Sequence, residues 1–205
     1  MLKGFMAAAV AVSLMAGGTA QADKVTDAID RASKAYSDGK LSSTSRELQF
    51  AIGRVSRRLA RAYQEAMPPA PDGWKARRAR RRNQGIGVMG MGISVNKRYR
   101  ADGGGRGRAS AQIIIDNPMI QAMGAMFANP ALAQNSGFER LEVKGLAQPG
   151  FIKFDEDRKR GEAIILIAGR VFLKVQASRI EDEDVLRNLA AGWNIKRIKE
   201  IAEIP

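Results

Sequence analysis

Five arginines in residues 76–90, ARRARRRNQGIGVMG, stand directly ahead of glycines spaced G-x-G-x-x-G at Gly85, Gly87 and Gly90. Guanidinium groups form forked hydrogen bonds to phosphate, and glycines at this spacing let backbone amides close on a pyrophosphate. That fingerprint works when a strand precedes it and a helix N-terminus follows. Here the order is reversed: an arginine run precedes, and an alternating, strand-like segment follows. Apolar residues occupy positions 86 and 88 and then 89, 91, 93 and 95, so their parity flips between Val88 and Met89. One extra residue in a strand produces such a flip, and glycine tolerates the resulting bulge. The spacing therefore predicts a bulged, glycine-rich strand and no nucleotide loop.

The cations keep their own reading. Lys75, Arg77, Arg78, Arg80, Arg81 and Arg82 are too crowded with charge to leave an apolar face, so the segment stays in water. It is then either an anion clamp or a solvated linker. As a clamp it would use Trp74 as an interfacial anchor, and Lys97, Arg98 and Arg100 would join it through the hairpin that follows. Arg106 and Arg108 are placed to extend the same patch. The charge distribution favours an anionic partner: residues 73–108 hold 11 basic and 1 acidic side chain of a chain whose formal net charge is +13. From 109 onward the two signs balance. Such a concentrated field attracts anions without specifying a fold.

Other chemistries are excluded by composition. The chain has no cysteine and no histidine. Disulfides, thiolate catalysis and Cys- or His-ligated transition metals are absent with them, as is any Ser-His-Asp triad. No constellation of Lys, Asp, Glu or Tyr suggests a catalytic centre. The expectation is no enzyme, no cofactor, no metal site and no catalytic residue. Asp155-Glu156-Asp157 reads as a hairpin turn and Glu181–Asp184 as the acidic first turn of a helix.

Residues 1–22, MLKGFMAAAVAVSLMAGGTAQA, carry one early cation, an apolar stretch and a small-x-small end at Ala20-Gln21-Ala22. This is the anatomy of a cleavable signal peptide, with cleavage expected after Ala22 and the periplasm as the expected address.

The elements that position these groups follow from periodicity. Residues 23–67 read as a helical hairpin. Val25, Ile29, Ala32 and Tyr36 form the first apolar stripe; Leu48, Ile52, Val55, Leu59 and Ala62 form the second. Gly39 separates the helices, and Thr44-x-x-Glu47 fits a capping box. Residues 68–84 read as a Pro-rich and then Arg-rich linker. From 85 to 205 the pattern is strand, strand, a short Met-rich helix (Met119, Met123, Met126, Phe127), four strands and closing helices. Runs of strands with few helices imply an α+β architecture: an N-terminal antiparallel helical hairpin followed by an antiparallel β-sheet with flanking helices.

The stretch Ser110–Ile201, with DNPMIQAMGAMFANP and VFLKVQAS followed by an acidic-capped helix, resembles a family of small exported bacterial proteins of uncharacterised function. Its layout is also similar to the PsbP-like class of antiparallel sheets flanked by helices. The resemblance implies that fold and no catalytic residues. The expected role is a periplasmic binding protein, associating with an anionic lipid or lipopolysaccharide surface through the Arg-rich segment. The alternative is a protein–protein adaptor that docks a periplasmic partner through the helical hairpin. Nucleic acid is not an expected partner, and no segment of the mature chain is expected to span a membrane.

Overall fold

The structure, a computed structural model, describes residues 19–77, 92–117, 120 and 135–205. Two compact units divide the chain, residues 1–55 and 56–205. Residues 1–18 of the stretch read as a signal peptide, Gly85, Gly87, Gly90 and the Met-rich segment at 119 and 121–134 lie outside the described residues. The architecture is α+β, a helical pair followed by a seven-stranded antiparallel sheet with helices packed on it.

In the first unit, α1 (Thr19–Ser37) ends at a turn in which Gly39 takes φ of 72°, and α2 (Leu41–Glu65) follows. Arg31 and Glu47, roughly equidistant from that turn, meet at 3.0 Å, so the helices run antiparallel. Thr44 is not the cap its spacing suggested. Its hydroxyl donates back to the Lys40 carbonyl from inside the helix, because α2 starts three residues earlier. The buried side chains are small, Ala28, Ala32 and Ala51, whereas Ile29, Tyr36, Leu48, Ile52 and Val55 of the expected stripes are exposed. The buried residues of this unit are thus alanines, and the larger apolar side chains beside them face solvent.

The second unit begins within α2. Leu59, Ala60 and Tyr63 pack against the sheet's core, and Pro68 ends the helical run. The strands are β1 (Trp74–Arg77), β2 (Ile93–Ala101), β3 (Arg108–Ile115), β4 (Glu139–Leu141), β5 (Gly150–Asp155), β6 (Arg160–Ile167) and β7 (Val171–Ser178). Their order in the sheet is β1-β2-β3-β7-β6-β5-β4, every neighbour antiparallel. β1 lies inside the stretch read as linker: Trp74 and Ala76 alternate with Lys75 and Arg77, a period of two that four residues are too few to advertise. Gly92, at φ of 73°, leads into β2, and a Cβ there would strike the Ile115 carbonyl.

One face of the sheet is apolar. Val95, Ala111, Ile113, Ile152, Ile165, Leu173 and Val175 alternate along their strands and are buried. Two helices from the C-terminal segment, α3 (Asp184–Ala191) and α4 (Ile195–Ile201), bury Leu186, Leu189 and Ile198 in the same core. Asp182 accepts the Asp184 amide at the start of α3, and Asn194 caps α4 by accepting the Arg197 amide. The fit between layers is close at Gly161. A Cβ there would meet Leu186 Cδ1 at 2.6 Å and overlap the Lys153 carbonyl. The opposite face carries a small second cluster at one end of the strands, Ile164 and Phe172 with Ile120, and polar residues at the other.

Candidate functional site

Because residues directly opposite in an antiparallel ladder share a face, the register orders the open face into rungs across the strands. One rung runs Lys75, Arg100, Arg108, Ser178, Arg160, Asp155. The next runs Arg77, Arg98, Ser110, Gln176, Glu162, Lys153. The following two become progressively apolar: Asn96, Gln112, Lys174, Ile164, Phe151, and then Ser94, Ile114, Phe172, Leu166. The open face is thus graded along the strands, cationic at the end where β2 meets β3 and apolar at the other.

The cationic end is concave and encloses about 810 Å³. Arg77, Arg98, Arg100 and Arg108 form one bank, Ser110, Gln176 and Ser178 the floor, and Lys153, Arg158 and Arg160 the other bank. Phe138 adds an apolar wall, with the Lys153 ammonium 5.8 Å from its ring centroid. Seven of the lining side chains are basic and two, Asp155 and Glu162, are acidic. Those two are already engaged: Glu162 pairs with Lys174 at 2.7 Å and Asp155 with Arg158 at 3.5 Å. Lys153 donates to the Ser136 carbonyl at 2.7 Å. Among the described residues, Arg77, Arg98, Arg100, Arg108 and Arg160 have no ion pair and no side-chain hydrogen bond.

Three facing positions oppose like charges: Lys75 across from Arg100, where Asp102 offsets Lys75, and two that involve arginines alone. Arg77 lies directly across from Arg98, and Arg100 directly across from Arg108. Like charges at facing positions destabilise a sheet by about 0.2–1 kcal/mol per pair. Nothing in the described fold compensates the two arginine pairs, and a bound anion would.

The residues expected to form an anion clamp separate in the structure. Arg77, Arg98 and Arg100 line the concavity. Lys75 is on the same face but bound to Asp102 at 2.7 Å, a contact that holds the Asp102 carboxyl below the usual carboxylate range. Trp74 and Lys97 lie on the opposite face. Trp74 packs on the core against Gly107, where a Cβ would come 2.8 Å from the indole. Lys97 donates to the Pro68 carbonyl at 2.8 Å, beside the Tyr99 hydroxyl, which donates to the same oxygen at 2.6 Å. Burial lowers the Lys97 pKa and raises that of Tyr99. Strand parity turns both inward, so Trp74 packs on the core and Lys97 bonds the Pro68 carbonyl, away from the concavity. Arg78, Arg80, Arg81 and Arg82 lie outside the described residues.

Lys153, Arg158 and Arg160 were not among the expected site residues and lie some fifty residues beyond the charged stretch. Their signal was parity within the β5–β6 hairpin. Lys153 and Asp155 alternate with the apolar Ile152 and Phe154, and Arg160 alternates with Gly161. What parity could not supply was the strand order that brings β6 within two strands of β3.

Comparison with protein-family models, with curated proteins and with solved structures matches nothing to this chain. No helix among the described residues is long and apolar enough to cross a membrane.

Proposed function

We propose that the chain is an exported, periplasmic, non-catalytic binding protein that engages anionic groups of the cell envelope through the open face of its sheet. The observation that supports this reading is a set of five arginines with no partner among the described residues, two pairs of them facing each other, around one concavity. Guanidinium forks match phosphate geometry, so phosphate is the preferred anion. The reading keeps the anion partner expected from the charge distribution and moves its seat from the Arg-rich run to the sheet. The test is binding of inorganic tripolyphosphate by calorimetry, and of phosphatidylglycerol vesicles by co-sedimentation, at low and high salt. Binding to at least one probe should weaken with salt and be lost in Arg98→Ser/Arg100→Ser/Arg108→Ser. Absence of binding to both, or binding that the triple variant retains in full, would end the proposal.

A second reading has its own observation. Among the described residues, the exposed large hydrophobics (Ile29, Tyr36, Leu41, Leu48, Phe50, Ile52 and Val55) all belong to the helical pair. An exposed apolar cluster of this kind suits a protein-docking surface, and the chain would then be an adaptor. A partner captured by the wild type and lost on Leu48→Ser/Ile52→Ser/Val55→Ser, with helicity retained, supports the adaptor. Capture that depends only on Arg98, Arg100 and Arg108 counts against it.

A further inference from the structure

The concavity has two cationic banks, and their separation is informative. Arg108 on β3 and Arg160 on β6 occupy one rung with only Ser178 of β7 between them. Two strand spacings of about 4.8 Å put their backbones about 10 Å apart. The neighbouring rung repeats the arrangement: Arg98 on β2, then Ser110 and Gln176, then Glu162 on β6 and Lys153 on β5. Cations thus stand on both sides of a polar floor, and a ligand with more than one phosphate can engage both banks. The floor between the banks is neither cationic nor apolar. It consists of two hydroxyls and a carboxamide, groups that both donate and accept hydrogen bonds. Glu162 and Asp155, on the second bank, are acceptors among the cations, and acceptors are what hydroxyl groups require. Phe138 supplies an apolar wall at the side. The volume of about 810 Å³ lies within the range of clefts that take small ligands, about 300–1,000 Å³.

From this order of groups, cation bank, hydroxyl and amide floor, mixed cation and carboxylate bank, we infer that the ligand is a saccharide or similar polyol bearing a phosphate group at each end. The inference rests on the anion-binding reading and deepens it by naming the ligand class. A sugar between the phosphates would hydrogen-bond the hydroxyls and carboxamide of the floor, contacts that a phosphate group alone leaves unused. The same chemistry is available from a free sugar bisphosphate and from the headgroup of a phosphorylated glycolipid.

The experiment compares fructose 1,6-bisphosphate, glucose 6-phosphate and inorganic phosphate by calorimetry at fixed ionic strength, with the mature full-length protein. The bisphosphate should bind at least tenfold more tightly than the monophosphate, and the monophosphate more tightly than inorganic phosphate. Arg108→Gln and Arg160→Gln, one on each bank, should each reduce bisphosphate affinity to near the monophosphate level. Both side chains are exposed, so neither substitution should lower the unfolding midpoint. Equal affinity for all three probes overturns the inference while leaving the anion site in place; no binding by any probe removes both. Loss at Arg108 without loss at Arg160 also overturns it, since one bank would then suffice. Phosphatidylcholine vesicles carrying diphosphoryl or monophosphoryl lipid A form the second arm. Preferential binding of the diphosphoryl vesicles identifies a glycolipid headgroup as the source, and binding of the soluble bisphosphate alone identifies a free sugar.

Discussion

Arg108→Thr should stabilise the sheet and weaken its anion binding at the same time. Arg108 faces Arg100 across the β2–β3 ladder, both side chains are exposed, and neither has an acidic partner among the described residues. Removing one member of a facing like-charged pair recovers about 0.2–1 kcal/mol, and threonine suits a strand at least as well as arginine. For a chain of this size that amounts to a rise in Tm of up to about 4 °C. The gain should be largest at low salt. It should nearly vanish at 1 M salt, where the screening length falls to about 3 Å. Urea unfolding followed by tryptophan fluorescence reads the relevant unit directly, because both tryptophans, Trp74 and Trp193, belong to residues 56–205. A double-mutant cycle with Arg100→Thr should return a repulsive coupling between the two positions. Tripolyphosphate at about 100 times its Kd should then stabilise the wild type by about 2.7 kcal/mol and the variant by less, which inverts their order. A destabilised Arg108→Thr at low salt, or a cycle with no repulsion, refutes the argument that these arginines are uncompensated in the free protein.

Three further outcomes follow from the same geometry. Lys97→Met should leave tripolyphosphate affinity within about twofold, a change of about 0.4 kcal/mol, because Lys97 faces the core side; a larger loss in calorimetry contradicts that placement. Gly161→Ala should destabilise by about 1–3 kcal/mol, the usual range for overpacking, since its Cβ meets Leu186 and the Lys153 carbonyl; an unchanged urea midpoint would show that α3 can shift without cost. Stability should also fall above pH 10. Burial, reinforced by Asp116, pushes Tyr63 from 10.0 to about 12, and burial raises Tyr99 as well. A raised folded-state pKa stabilises fully below the unfolded value and is lost as pH rises through the folded one. Lys97, with a lowered pKa, acts in the opposite sense and only below its ordinary 10.5, so the decline is cleanest above that. Unfolding free energies that stay level between about pH 10.5 and about pH 12 would contradict these burial effects.

The fold class was legible because the chain's two periodicities are cleanly separated, helical before Pro68 and alternating in the strands from Ile93 onward. The residues AIILI and VFLKV marked the central strands β6 and β7, whose apolar density comes from burial on both faces. The helical pair was harder to read. Its large apolar residues suggested the buried stripe, whereas alanines are the residues buried; amphipathicity records which residues are apolar, not which ones the fold covers. β1 was too short for its alternation to be distinguished from a charged linker. The candidate site was half visible. Arg98, Arg100 and Arg108 stand close together in a basic segment, so composition flagged them. Arg160 and Lys153 sit in a segment of balanced charge, and their contribution depends on the order β3-β7-β6-β5. That order is set by long-range pairing, which no local pattern encodes. Parity also turned two expected members inward, Trp74 to the core and Lys97 to the Pro68 carbonyl.

The most direct test of the account is where an anion perturbs the protein. Titration with inorganic tripolyphosphate, followed by NMR of arginine side-chain and backbone amide signals, should shift the Nε–H resonances of Arg98, Arg100, Arg108 and Arg160 together with the Ser110 and Gln176 amides. Leu189 and Ile198, in the helices on the other side of the sheet, should stay in place. Shifts concentrated in those helices or in α1 and α2, or no saturable shifts at all, would contradict an anion site on the open face of the sheet.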